Sequence, residues 1–181
     1  MIISRVFHIP HKWTFSIKPI MNIIKKYMGD SHPWVDPFAG MYSPAHIRND
    51  INPNRNAEFH LDAVEFLKTL DNNSVAGVLN DPPFSTHQFE TTYNDTHTLG
   101  ATNPTSTEYK TAIKVEVNRI LRPGGIVISL GWNSNGCSIY KKETKKLTQL
   151  EKLEVLLVAH GMAKNDTIIT VEQKVQETLE Q

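Results

Sequence analysis

Val75-Ala76-Gly77-Val78-Leu79-Asn80-Asp81-Pro82-Pro83-Phe84 decides the reading of this chain. It is an apolar run of one strand's length, halted by a rigid turn that carries a carboxylate and an aromatic ring. Each proline fixes its own φ near about −65° and pushes the residue before it toward an extended conformation, so the backbone at Asp81 is set before any ligand arrives. Neither proline has an N–H, which leaves carbonyls available as acceptors. An amine with two N–H donors, such as an exocyclic base amine, finds both acceptors in Asp81 and the Pro82 carbonyl. Phe84 offers a face for stacking. Asp-Pro-Pro also occurs in plain surface turns, and a Phe after a turn is more often core, so the neighbouring segments must decide.

Upstream, Trp34-Val35-Asp36-Pro37-Phe38-Ala39-Gly40 reads as a short strand running into a loop, with a glycine where a ligand can approach the backbone closely. Asp50 ends a second extended stretch and is placed to accept hydrogen bonds from ribose hydroxyls. Asp62-Ala63 follows a third stretch, Glu58 to Leu61, and can accept from an adenine amino group. Single acidic residues commonly cap helices and turns. The ordered series Asp36, Asp50, Asp62, Asp81 is the stronger signal.

These motifs resemble the amino-methylating, S-adenosylmethionine-dependent DNA methyltransferases, the adenine-N6 and cytosine-N4 group. Asp36-Pro37-Phe38-Ala39-Gly40 resembles that family's cofactor motif, and Asp81-Pro82-Pro83-Phe84 its catalytic motif. Thr14-Phe15-Ser16-Ile17-Lys18-Pro19-Ile20 is similar to the segment that packs against the methionine end of the cofactor. Leu121-Arg122-Pro123-Gly124-Gly125-Ile126-Val127-Ile128-Ser129 is similar to the family's helix, turn and fifth strand. The resemblance implies that Asp81, Pro82, Pro83 and Phe84 are catalytic. It implies that Phe15, Ile17, Lys18, Asp36, Pro37, Phe38, Ala39, Gly40, Asp50, Asp62 and Ala63 bind S-adenosyl-L-methionine. The fold it implies is α/β and Rossmann-like, of the class I methyltransferase type: a seven-stranded, mostly parallel sheet with a C-terminal antiparallel hairpin. The implied activity is methyl transfer to an exocyclic amino nitrogen, adenine N6 in DNA foremost. An RNA base or a protein glutamine amide would suit the same acceptor geometry. From a different class, a non-catalytic methyltransferase-fold subunit or scaffold stays open.

Composition sets outer bounds. A length of 181 residues supports one domain, residues 1–181, with one substantial core. The single cysteine, Cys137, excludes an internal disulfide and fits a reducing compartment, so a cytoplasmic location is expected. No signal peptide and no apolar run long enough to span a bilayer is evident, and no membrane partner is expected. Nineteen Lys and Arg balance nineteen Asp and Glu, so contacts to DNA or another nucleic acid must come from local patches. Lys25-Lys26 and Lys141-Lys142-Glu143-Thr144-Lys145-Lys146 are candidates, although most charge runs are solvated helix faces. His8 with His11, and His87 with His97, lack metal-ligand spacing, and no metal is expected.

Periodicity predicts helices over Ile17 to Met28, Val64 to Leu70, Tyr109 to Leu121 and Thr144 to Leu150. Strands are predicted over Trp34 to Asp36, His46 to Asp50, Ala57 to His60, Val75 to Asn80, Ile126 to Gly131, Val155 to His160 and Thr167 to Glu172, the last two joined by a turn from Gly161 to Asp166. Ser85 to Ser106 is polar and aperiodic, a mobile active-site loop in this reading. Trp132, Asn133 and Asn135, just past the fifth strand, fit a pocket wall or a simple strand-end turn. Only nine residues, Met41 to Asn49, separate Gly40 from Asp50, so the first helix after the cofactor motif is shortened or absent. That uncovers part of a sheet face, which predicts a homodimer or a partner subunit. Neither the 44 residues between Asp36 and Asp81 nor the tail after Glu172 leaves room for a target-recognition domain. Specificity must then come from the 85–106 loop or a partner, or be low.

Overall fold

The computed structural model describes residues 1–85, 105–141, 146–147, 150–161 and 165–175. In chain order the elements are β1 (Ile2–Phe7), a 3-10 turn (Thr14–Ser16), α1 (Lys18–Met28), β2 (Trp34–Asp36), β3 (Ile47–Arg48), α2 (Ala63–Lys68), β4 (Val75–Asn80), α3 (Thr107–Ile120), β5 (Leu121–Gly131), β6 (Tyr140–Lys141), β7 (Lys146–Leu147), β8 (Leu150–Ala159) and β9 (Thr167–Lys174). Seven of the strands form one sheet in the order β1-β8-β9-β5-β4-β2-β3. β9 runs antiparallel to both β5 and β8, and the other pairings in this sheet are parallel. The expected seven-stranded, mostly parallel sheet with an antiparallel C-terminal hairpin is therefore present.

A central strand covered on both faces must be apolar throughout, and all six residues of β4 are buried. Leu79 faces α1, where Ile20, Ile24, Trp34, Ile128 and Ile169 form one core layer. Val78 faces the opposite way, toward Val35, Phe66, Leu67, Val117 and Val127 under α2 and α3. The helix ends follow local chemistry. Pro19 occupies the first turn of α1, and Gly29 closes that helix at φ +47°. Asp62 caps α2 and Ser106 caps α3 through side-chain oxygens that accept backbone N–H groups.

Three expectations are corrected. The stretch Ala57 to His60 does not form a strand and keeps a single bridge, Asn49 to Phe59. The Arg48 carbonyl accepts both the Glu58 and Phe59 N–H groups, and the Glu58 carboxylate takes the Arg48 N–H, which pins the segment at one point and leaves no ladder to extend. The seventh strand is instead β1, along β8 at the far edge. The helix expected over Thr144 to Leu150 is also not formed: residues 146–147 pair antiparallel with residues 140–141, and Leu150 already belongs to β8. The boundaries of β5 and β8 reach further back than their apolar runs, to Leu121 and Leu150.

The anticipated loss of the first helix holds, since residues 41–46 pass from Gly40 to β3 in turns. Residues 86–104, including His87 and His97, lie outside the described residues, as do 142–145 of the lysine run and 162–164 of the turn before β9. Among the described residues, no helix is long and apolar enough to cross a membrane.

The β2–β4 contact is the tightest joint in this architecture. Trp34 pairs with Gly77, and a methyl group added at Gly77 would lie 2.3 Å from the fully buried Trp34 ring. Gly77→Ala is therefore expected to lower stability by roughly 1–3 kcal/mol or more, because neither strand can move aside without breaking its ladder. An unchanged denaturation midpoint would contradict this packing.

Candidate active site

Because β2 and β4 run parallel with Val35 beside Val78, both strands end on the same side of the sheet. Asp36 and Asp81 thus open neighbouring turns, at the carboxyl edge where open α/β sheets bind ligands. Asp36 is fully buried and accepts hydrogen bonds from the Phe38 N–H at 2.8 Å and from Ser43 Oγ. Burial pushes its carboxyl up to about 7; those two hydrogen bonds oppose the rise, and the nearby charges of Asp81 and Asp50 add to it. Burial also pushes Asp81 up to about 6, against a hydrogen bond from the Thr14 side chain. Neither carboxylate forms an ion pair among the described residues. Two strand ends therefore hold carboxyl groups whose charge has no counter-ion among the described residues.

The loop after β2 is tied down from the next strand. Asp50 Oδ2 accepts the Gly40 N–H and its Oδ1 the Asn52 N–H, each at 2.9 Å. Burial raises its carboxyl, while these hydrogen bonds and the charges of Arg55 and His60 hold it down. Gly40 sits at φ +59°, a conformation that favours glycine, and the space where a side chain would stand is open. Sequence reasoning missed the central clamp of this loop, Asn49. Its side-chain amide donates to the carbonyls of Pro37 (3.1 Å) and Leu61 (3.0 Å), and its Oδ1 accepts the Leu61 N–H. One fully buried side chain thus joins the Asp36–Gly40 turn to the segment entering α2. Nothing in its type or spacing marks it in a single sequence.

The remaining candidates divide. Asp62 spends Oδ1 on the Val64 and Glu65 N–H groups as the cap of α2, and its Oδ2 accepts the Tyr109 hydroxyl at 2.9 Å. Burial, with Asp62 beside it, pushes the Tyr109 hydroxyl up, so Tyr109 stays a donor. Phe38, Ala39 and Ala63 pack inward. Phe15 and Ile17 lie in the α1-side core, and it is Thr14, next to them in the 3-10 turn, that reaches Asp81. Lys18 is not brought to this group; it lines a separate hollow with His8, Asn22 and Glu154, between α1, β1 and β8.

Beside the Pro82–Phe84 turn lies a cavity of about 330 Å³, walled by that turn, the end of β5 and α3. Trp132, Asn133 and Asn135, in the bent segment that follows β5, belong to this wall. The Phe84 and Trp132 rings stand 5.8 Å apart at 53°. Gly136, also in the wall, begins a loop gripped from beneath by the fully buried Glu172 of β9, which accepts the Cys137 N–H at 2.6 Å and the Ser138 hydroxyl at 2.7 Å. A side chain at Gly136 would collide with that carboxylate. Among the described residues, no group of three or more His, Cys, Asp or Glu could hold a metal ion.

By sequence the chain matches no family model and no curated protein. In three dimensions it is similar to the 1,6-didemethyltoxoflavin-N1-methyltransferase of Burkholderia thailandensis, crystallised with 1,6-didemethyltoxoflavin and S-adenosylhomocysteine (TM-score 0.56, 12% identity, 88% of this chain and 78% of that one). It is also similar to TrmN from Thermus thermophilus (TM-score 0.57, 14% identity), covering 88% of this chain but 49% of TrmN, about half its length. A third similar structure is a SAM-dependent methyltransferase from Methanosarcina mazei (TM-score 0.52, 12% identity, 86% of this chain and 98% of that one). At these identities the likeness is one of architecture: the chain has the fold of S-adenosylmethionine-dependent methyltransferases.

Proposed function

We propose that this protein transfers a methyl group from S-adenosyl-L-methionine to an exocyclic amino nitrogen, adenine N6 in DNA foremost. The observation that carries the reading is the convergence of Asp36 and Asp81 at adjoining strand ends, each with a raised pKa and without an ion pair among the described residues. A ligand carrying sulfonium and ammonium charges supplies what such a site lacks. The open space beside Gly40 gives it room against the backbone. The Asp36–Gly40 turn and Asp50 would hold the cofactor, whose contribution is an electrophilic methyl group.

The chain's own part is orientation and charge. Asp81 and the Pro82 carbonyl accept hydrogen bonds from the two amine N–H groups, which turns the nitrogen toward tetrahedral geometry and localises a lone pair otherwise delocalised into the ring; one of those protons leaves to solvent after transfer. Ionised Asp81 then stabilises the positive charge developing at nitrogen. The Thr14 hydrogen bond favours that ionised form. Phe84 supplies a stacking face for a base removed from its helix or drawn from a single strand. In this reading a second copy of the chain or another subunit contributes target recognition, seated on the exposed Tyr42, Phe59 and Leu61 near the short edge strand β3.

Asp81→Ala should abolish transfer of tritiated methyl groups to DNA and leave the calorimetric titration with S-adenosylmethionine within a few-fold of the parent chain. Retained transfer would overturn the assignment. Label entering RNA or protein instead would reassign the acceptor, and absence of cofactor binding in the parent chain would favour a scaffold.

A second expectation concerns pH. Catalysis needs ionised Asp81, so kcat/KM should rise with pH along a limb near 6, and Thr14→Val should move that limb upward by removing a hydrogen bond that lowers the pKa. Stability runs the other way. Both folded-state pKa values lie above those of the unfolded chain, so the contribution of these carboxyls is fullest below about pH 4 and is lost as pH rises through 6 to 7. Asp81→Asn should therefore gain stability relative to the parent chain between about pH 5 and about pH 8, read from denaturant midpoints without cofactor.

A further inference from the structure

We infer that the cavity beside the Pro82–Phe84 turn is a nucleotide site, in which the base lies against Phe84 and Trp132 and its phosphate meets Lys110 and Lys114. The inference rests on the methyltransferase reading above and deepens it, since it separates a nucleotide acceptor from an uncharged amide. Three independent observations point to this class of ligand. The first is a polar group left over. Asn80 is 8% exposed and lines the cavity, and its amide donates to Cys137 Sγ at 3.4 Å, but its Oδ1 has no partner among the described residues. A buried acceptor without a partner is unfavourable, so a turn of the Asn80 amide toward the cavity gains a hydrogen bond when the bound molecule offers a donor.

Shape is the second. Phe84 and Trp132 meet at a 53° tilt, so a flat ring on the exposed Trp132 would turn its edge toward Phe84. Trp132 keeps 47% of its surface exposed, which is unusual for a tryptophan unless something stacks on it. A volume of about 330 Å³ falls at the lower end of small-ligand sites, suited to one nucleotide. Charge is the third. Lys110 and Lys114, one turn apart on α3, both line the cavity, and no Asp or Glu among the described residues does. Neither lysine forms an ion pair among the described residues. In a chain of zero formal charge this is a local positive wall, suited to a phosphate and of no use to an uncharged amide.

The test uses the full chain without methyl donor. The indole N–H resonance of Trp132, assigned by its loss in Trp132→Phe, is followed while 5′-AMP or adenosine is titrated. It should shift with both, and 5′-AMP should bind at least about tenfold more tightly than adenosine. The double variant K110E/K114E should erase that advantage and leave the adenosine value unchanged, which also reports that the variant is folded. Trp132→Ala should weaken both ligands, and Trp132→Phe, followed by chemical shifts elsewhere in the wall, should restore most of the loss. A Trp132 signal indifferent to 5′-AMP, equal affinities for the two ligands, or an advantage that survives charge reversal would overturn the inference. A chain that binds 5′-AMP here but transfers no methyl group would refute the activity and leave the site standing, whereas a methyltransferase whose Trp132 ignores 5′-AMP would refute the site alone.

Discussion

The parallel pairing of β2 with β4 is the constraint on which the site depends. Trp34 lies flat over Gly77, where only a residue without a side chain fits, and this sets the register that brings Asp36 alongside the approach to Asp81. Each strand is short, three and six residues, so neither could hold this alignment by hydrogen bonds alone. Packing on both faces does so instead: Trp34 and Leu79 under α1, Val35 and Val78 under α2 and α3. Rigid turns then carry the geometry outward, one through Pro37 and the other through Pro82 and Pro83.

Much of this was legible in the residues because it depends on local rules. A fully apolar run stopped by two prolines can be little else than a buried strand entering a fixed turn. The helical spacing of Ile20, Ile23 and Ile24 predicts α1, and Val155 onward with Thr167 onward predicts the C-terminal hairpin. What stayed hidden depends on contacts between distant segments. β1 has apolar residues on both faces at the edge of the sheet, without the alternation that marks a strand, and its partner β8 lies some 150 residues away. Asn49, Thr14 and Glu172 act through hydrogen bonds to particular backbone groups or side chains, which no periodicity reveals. Ala57 to His60 misled for the converse reason: its pattern suits a strand, but the Arg48–Glu58 contact holds it to one bridge.

The electrostatics are local in the same way. Global neutrality hides two opposed zones beside one turn, acidic toward Thr14 and basic toward α3. Both zones border the Pro82–Pro83 turn, so a cationic group and an anionic one can meet at its edge.

Glu172 has a consequence of its own. Its backbone belongs to the C-terminal hairpin's ladder while its carboxylate tethers the 136–138 loop. Hairpin and rim should open as one foldon, so the cavity's outer wall inherits the lifetime of the sheet's antiparallel half instead of the quick breathing usual in a surface loop.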